Sequence, residues 1–113
     1  PLPSPPRIPD PEPAHSVNRV EIAARVAEAE PLRHTPAGTP VLRLRMAHES
    51  EVLEAGSPRT VRMELQAVAL GDVARELAAA PIGVLVQAIG FLAPLRQGSD
   101  RLVFHIQRIA QAH

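Results

Sequence analysis

The chain has 113 residues, no cysteine, no lysine, and twelve arginines balanced by twelve acidic side chains. That length suits one domain, which buries only about 60–70% of the surface its unfolded chain exposes. The absence of cysteine excludes a disulfide framework and a thiolate metal site, and zero net charge argues against the strongly basic surface that drives non-specific nucleic-acid binding.

Residues 1–16, PLPSPPRIPDPEPAHS, hold seven prolines. Proline removes backbone donors and fixes φ, so this stretch is expected to be an extended tail. A domain follows from residue 17 to residue 113. In VNRVEIAARVAE, Val20, Ile22, Ala24 and Val26 alternate with Arg19, Glu21, Ala23 and Arg25, which predicts a half-buried first strand. Pro31 ends it, and His34–Pro40 reads as a turn-rich loop.

The run VLRLRMAH predicts a second strand, with Leu42, Leu44 and Met46 inward and Arg43 and Arg45 together on the other face. Glu49–Pro58 reads as an acidic loop closed by Gly56. RTVRMELQAVAL predicts a third strand over 59–70, with Val61, Met63, Leu65 and Ala67 on one side. Asp72 is then the expected N-cap of a short helix, VARELAAA, with Val73, Leu77 and Ala80 inward.

Leu85–Leu92 and Leu102–Ile109 predict a closing hairpin, joined through Pro94, Gln97, Gly98, Ser99 and Asp100 and flanked by Arg96 and Arg101. Phe104 stands in the apolar phase of its strand, and Phe91 lies near a strand end. Both are assigned to the core.

Three strands, one helix and two strands is the connectivity of an all-β, five-stranded OB-fold barrel, the short helix lying between the third and fourth strands. Such barrels take oligonucleotides across strands two and three and along two flanking loops. The side chains at those places are Arg33, His34, Arg43, Arg45, Arg59, Arg62, Arg96 and Arg101. They are the candidate contacts for single-stranded DNA. Arg19, Arg25, Arg75 and Arg108 fall elsewhere.

The order of several short pieces resembles the primosomal replication protein N, or PriB, family from Val17 onward. These pieces are Asn18-Arg19, Pro31-Leu32-Arg33, Pro36-Ala37-Gly38-Thr39-Pro40, His48 with Ser50, Glu54-Ala55-Gly56, Gly90-Phe91 and Leu102-Val103-Phe104-His105. The resemblance implies a homodimer that binds single-stranded DNA. It also implies that the protein joins the PriA helicase and DnaT at stalled forks, so that the replicative helicase is reloaded. Where the family's third strand can carry a stacking tryptophan, this sequence has Arg62. Where the last loop can be lysine-rich, it has only Arg96 and Arg101. Weaker DNA binding is therefore expected, with more of the role carried by protein contacts. The alternative is an OB-fold adaptor whose surface meets a partner protein.

An enzyme is not expected. The five histidines are scattered, and His48 with Glu49 and Glu51 lacks a third ligand at a recognisable spacing. No phosphate loop or nucleophile elbow is present, so neither catalytic residue, metal nor cofactor is assigned. No apolar run reaches the roughly 18–20 residues of a spanning helix, and the N-terminus is not a basic segment followed by an apolar one. A cytoplasmic protein without membrane contact is expected.

Overall fold

A computed structural model describes residues 16–111. The proline-rich tail read over residues 1–16 lies, Ser16 apart, outside the described residues. The elements in chain order are β1 (Val20–Ala29), β2 (Arg33–His34), β3 (Pro40–Glu54), β4 (Ser57–Leu70), α1 (Asp72–Ala79), β5 (Leu85–Pro94) and β6 (Leu102–Gln111). The strands run β1-β5-β6-β4-β3-β2 across the sheet, and pairing of β1 with β3 closes five of them into a barrel. β4 and β6 are parallel and the other neighbours antiparallel. This is the expected OB architecture, with the helix between the third and fourth long strands. The two-residue β2 runs into the segment predicted as a loop from His34 onward, and it pairs Arg33 with Val41 and His34 with Pro40.

Period-two alternation fills the barrel. Leu42, Leu44 and Met46 of β3 are 6% exposed or less and meet Ala67 and Ala69 of β4, Val86 and Ala88 of β5, and Phe104 and Ile106 of β6. Burying a large apolar side chain of this kind contributes roughly 1.5–3 kcal/mol. α1 plugs one end with Val73, Ala74 and Leu77. Asp72 is not the cap. Gly71, at φ 84°, turns the chain out of β4 and takes the cap position without a side-chain bond, so Asp72 enters the first helical turn. There its carboxylate suits the helix dipole and pairs with Arg75 at 3.1 Å.

β6 carries a bulge. Ile89 faces Arg108, but Gly90 faces Ile106, so Gln107 is an extra residue. The bulge lets Ile106 and Ile109, three positions apart, both pack on the core. Gly90 sits at the tightest approach. A Cβ there would lie 1.8 Å from the His105 carbonyl oxygen.

The segment read as an acidic loop is a β-hairpin arm. β3 and β4 stay in register from Val41↔Leu70 to Glu54↔Ser57, which leaves only Ala55 and Gly56 in the turn. Both have positive φ, 51° and 80°, as a tight turn between right-twisted strands requires. Beyond His48 the ribbon leaves the barrel. With no core on either side it does not alternate, its charged residues fall on both faces and Val52 and Leu53 are exposed, which is why residues 49–58 read as a loop.

Candidate nucleic-acid interface

Side chains of paired residues in neighbouring strands share a face of the sheet. Starting from Arg43 on β3, the ladder runs to Val68 on β4, then His105 on β6, then Phe91 on β5. These four form one row on the outer wall, opposite the core side chains. The adjacent row holds Arg45 and Gln66, and Val103 with Ala93. Arg33, opposite Val41, lies on the same face at the start of β3.

Beside these rows is a cleft of about 300 Å³, lined by Arg43, Arg45, Gln66 and Val103, with Leu95 from the β5–β6 loop and Glu28 and Glu30 on one wall. The loop is held by Leu95 N–H donating to the Arg101 carbonyl (2.8 Å) and Ser99 N–H to the Arg96 carbonyl (3.0 Å). This fixes Arg96 and Arg101, both exposed, at the ends of the loop.

The eight candidate residues therefore divide. Arg33, Arg43, Arg45 and Arg62 share the outer face of the β2–β3–β4 ribbon. Arg96 and Arg101 flank the loop whose Leu95 lines the cleft. His34, opposite Pro40, and Arg59, opposite Val52, belong to the other face.

Local carboxylates occupy three of the arginines. Arg45 lies 3.1 Å from Glu28 and 3.8 Å from Glu64, Arg62 lies 3.4 Å from Glu49, and Arg59 bonds Glu54 at 3.0 Å. Arg33, Arg43, Arg96 and Arg101 form no ion pair among the described residues. The zero net charge thus hides an uneven surface in which some guanidinium groups are neutralised and others are available.

Two assignments change. Phe104 is core, 1% exposed, but Phe91 is not. Its ring stands on the outer wall, stacked on His105 with centroids 4.9 Å apart and planes 10° from parallel. Arg19 also comes close to this row. Asn18 Nδ2 donates to the Leu92 carbonyl (2.8 Å) and Leu92 N–H donates to Asn18 Oδ1 (3.0 Å). These bonds extend the Val20↔Gly90 alignment and set Arg19 beside Phe91. The alternation in β5 carried the signal for Phe91: Val86, Ala88, Gly90 and Leu92 form one phase, and Phe91 is in the other.

His48 does not join Glu49 in a metal or acid–base pair. Its Nδ1 is 2.6 Å from the Ala23 carbonyl and its Nε2 is 2.8 Å from the Ser50 hydroxyl. A carbonyl only accepts, so Nδ1 carries the proton. Glu49 points to the opposite face and pairs with Arg62. Among the described residues no three His, Asp or Glu side chains gather as metal ligands, and no helix is long and apolar enough to cross a membrane.

A family model described as another single-strand binding protein family matches residues 18–108. The replication restart protein PriB of Bordetella pertussis is 51% identical over 92 residues, which cover 81% of this chain and 86% of that protein. The chain belongs to the PriB family of replication restart proteins. PriB from Ralstonia solanacearum has a similar structure, with a TM-score of 0.79 and 31% identity over 87% of this chain and 100% of that one. The single-stranded DNA binding protein of Thermus aquaticus shares the fold, with a TM-score of 0.67 and 22% identity over 86% of this chain and 50% of that one.

Proposed function

We propose that this protein binds single-stranded DNA during replication restart, acting in the cytoplasm with the PriA helicase and DnaT to reload the replicative helicase. The observation that carries the reading is the outer wall. It combines an aromatic pair and guanidinium groups that form no ion pair among the described residues with a cleft lined by Arg43 and Arg45. Phosphates pair with Arg33, Arg43, Arg96 and Arg101. Arg45 and Arg62 join as their carboxylates yield, and His34 and Arg59 are marginal contacts from the ribbon's other face. Guanidinium groups bond phosphate in a bidentate manner, which suits a surface with few positive charges. The names of its PriB relatives support the process.

A homodimer completes the assembly. Among the described residues β1 forms its ladder with β5 alone between Val20 and Ala24, and its pairing with β3 begins at Arg25. Apart from the Ala23 carbonyl, which His48 bonds, that leaves a strand edge able to pair across a two-fold axis. No step of this role is catalytic.

Fluorescence anisotropy of labelled oligo-dT across a salt series tests the reading. Four available arginines give an expected log–log salt slope of about −3, from roughly −0.7 per neutralised phosphate on a single strand. Affinity weaker than roughly 10⁻⁴ M at physiological salt, the weak end of non-specific binding, would refute it. That result would favour the adaptor, in which the same wall meets a protein partner.

A further inference from the structure

Zero net charge and the arginine at position 62 leave a specific gap: phosphate contacts alone would hold a strand loosely, and the third strand has no aromatic side chain on which a base can rest. The row across the outer wall supplies one elsewhere. Phe91 and His105 stack ring on ring from adjacent strands, both half-buried on the outer wall rather than enclosed. A core aromatic would be buried as Phe104 is. Gly90 makes the pairing possible, because the bulge draws β5 so close to β6 that no side chain fits at that position.

The neighbours of this stack have the chemistry a nucleotide requires. Next to His105 in the row is Val68, a short side chain and only 8% exposed, and beyond it is Arg43. Two interstrand steps separate β6 from β3, roughly 9–10 Å. A flat ring lying between two others needs about 7 Å, twice the carbon contact distance of ~3.5 Å. Val68 thus spaces an imidazole on one side and a guanidinium on the other by about the thickness of one intervening ring. At the opposite end of the row Arg19 lies beside Phe91. Its one ion pair among the described residues is a long one, 4.0 Å to Glu21, with both side chains more than half exposed.

We propose that Phe91 and His105 form a nucleobase-stacking platform on which a base lies against the imidazole on its Arg43 side, with Arg43 and Arg19 holding the flanking phosphates. The platform does the work that a tryptophan on the third strand would otherwise do, and it runs across the strands rather than along β4. It accepts any base, because every base has a π-face. This inference rests on the single-stranded DNA reading above.

The test uses the full chain and labelled oligo-dT in a salt series. Removing a base-stacking aromatic costs about 5- to 150-fold in affinity, the fold-change equivalent of roughly 1–3 kcal/mol. Phe91→Leu and His105→Ala are each expected to weaken binding within that range while leaving the salt slope unchanged, and Phe91→Tyr is expected to recover most of the loss. Arg43→Ala instead flattens the slope by about 0.7. Independently of any variant, ultraviolet crosslinking of wild-type protein to an oligonucleotide carrying 5-iodouracil is expected to attach at Phe91 or His105, located by mass spectrometry. Binding unaffected by Phe91→Leu and His105→Ala, or crosslinks confined to the β3–β4 arm, would overturn the platform yet leave DNA binding intact. Failure of the wild type to bind at any salt would overturn both.

Discussion

Arg45 lines the cleft beside Arg43 and is the candidate arginine most restrained by its own neighbours. Replacing both Glu28 and Glu64 with glutamine is expected to tighten binding of oligo-dT. The two carboxylates lie 3.1 and 3.8 Å from Arg45 Nη1, and all three side chains are about half exposed or more. The pairs themselves therefore contribute only about 0.2–1 kcal/mol each to stability. A phosphate seated on Arg45 would lie roughly 6–7 Å from each carboxylate, a repulsion of about 0.6 kcal/mol apiece at the dielectric constant of water. Their sum, about 1.3 kcal/mol at low salt, falls to about 0.6 kcal/mol once a Debye length of about 8 Å is included. The Glu28→Gln/Glu64→Gln variant should thus bind about ninefold more tightly at low salt and about threefold more tightly at physiological salt. Its salt slope should steepen by up to about 0.7 as Arg45 becomes available to a phosphate. Anisotropy titrations at both salts measure this, with thermal melting to show that the barrel is intact. A double variant that melts normally but binds no more tightly than the parent at low salt would refute the electrostatic account of this cleft.

Three further outcomes concern the scaffold. Ala55→Asn should strengthen the arm by roughly 0.5–1 kcal/mol, because asparagine tolerates the left-handed conformation that alanine adopts there at φ 51°; slower amide exchange in Val52–Val61, with little change in global melting, is the expected signature. Gly90→Ala places a methyl group against the His105 backbone, so urea unfolding should show a loss of roughly 1–3 kcal/mol or more. Leu77→Ala, which empties the helix plug where the side chain is 1% exposed, should cost about 2–5 kcal/mol by the same measurement.

The barrel was legible because its strands alternate against a single core. Leu42, Leu44 and Met46 announce β3, and Phe104 with Ile106 announces β6. Legibility ended where one of two conditions failed. Between Glu49 and Pro58 there is no core, so hydrogen-bonded strands carry the composition of a loop, and the Ala55-Gly56 turn lacks the usual asparagine. Asp72 looked like a cap because its side chain suits one, yet the backbone of Gly71 had already taken the position. The site was harder to read for a different reason. Nothing local places Phe91 beside His105, or either of them in line with Arg43, because the row is made by pairings across four strands and by a bulge at Gln107. Arg43 and Arg45 could be grouped from spacing along one strand, whereas Arg33 joins their face only through the pairing of β2 with β3. Arg59 and Arg62, three positions apart on β4, could not both share their face, since alternation sends them to opposite sides.

The two-stranded extension past His48 answers to no interior, and its side-chain bonds, such as Arg59 to Glu54 and Arg62 to Glu49, stay within the ribbon. Its length can therefore change by matched pairs, one residue from each strand, with about 3.4 Å of reach gained or lost per rung and no adjustment asked of the closed part of the molecule. Removing Glu51 together with Thr60, which face each other, would shorten the projection and invert the side of every residue nearer the tip. How far the protein extends toward whatever it meets is thus free to drift apart from how well it folds.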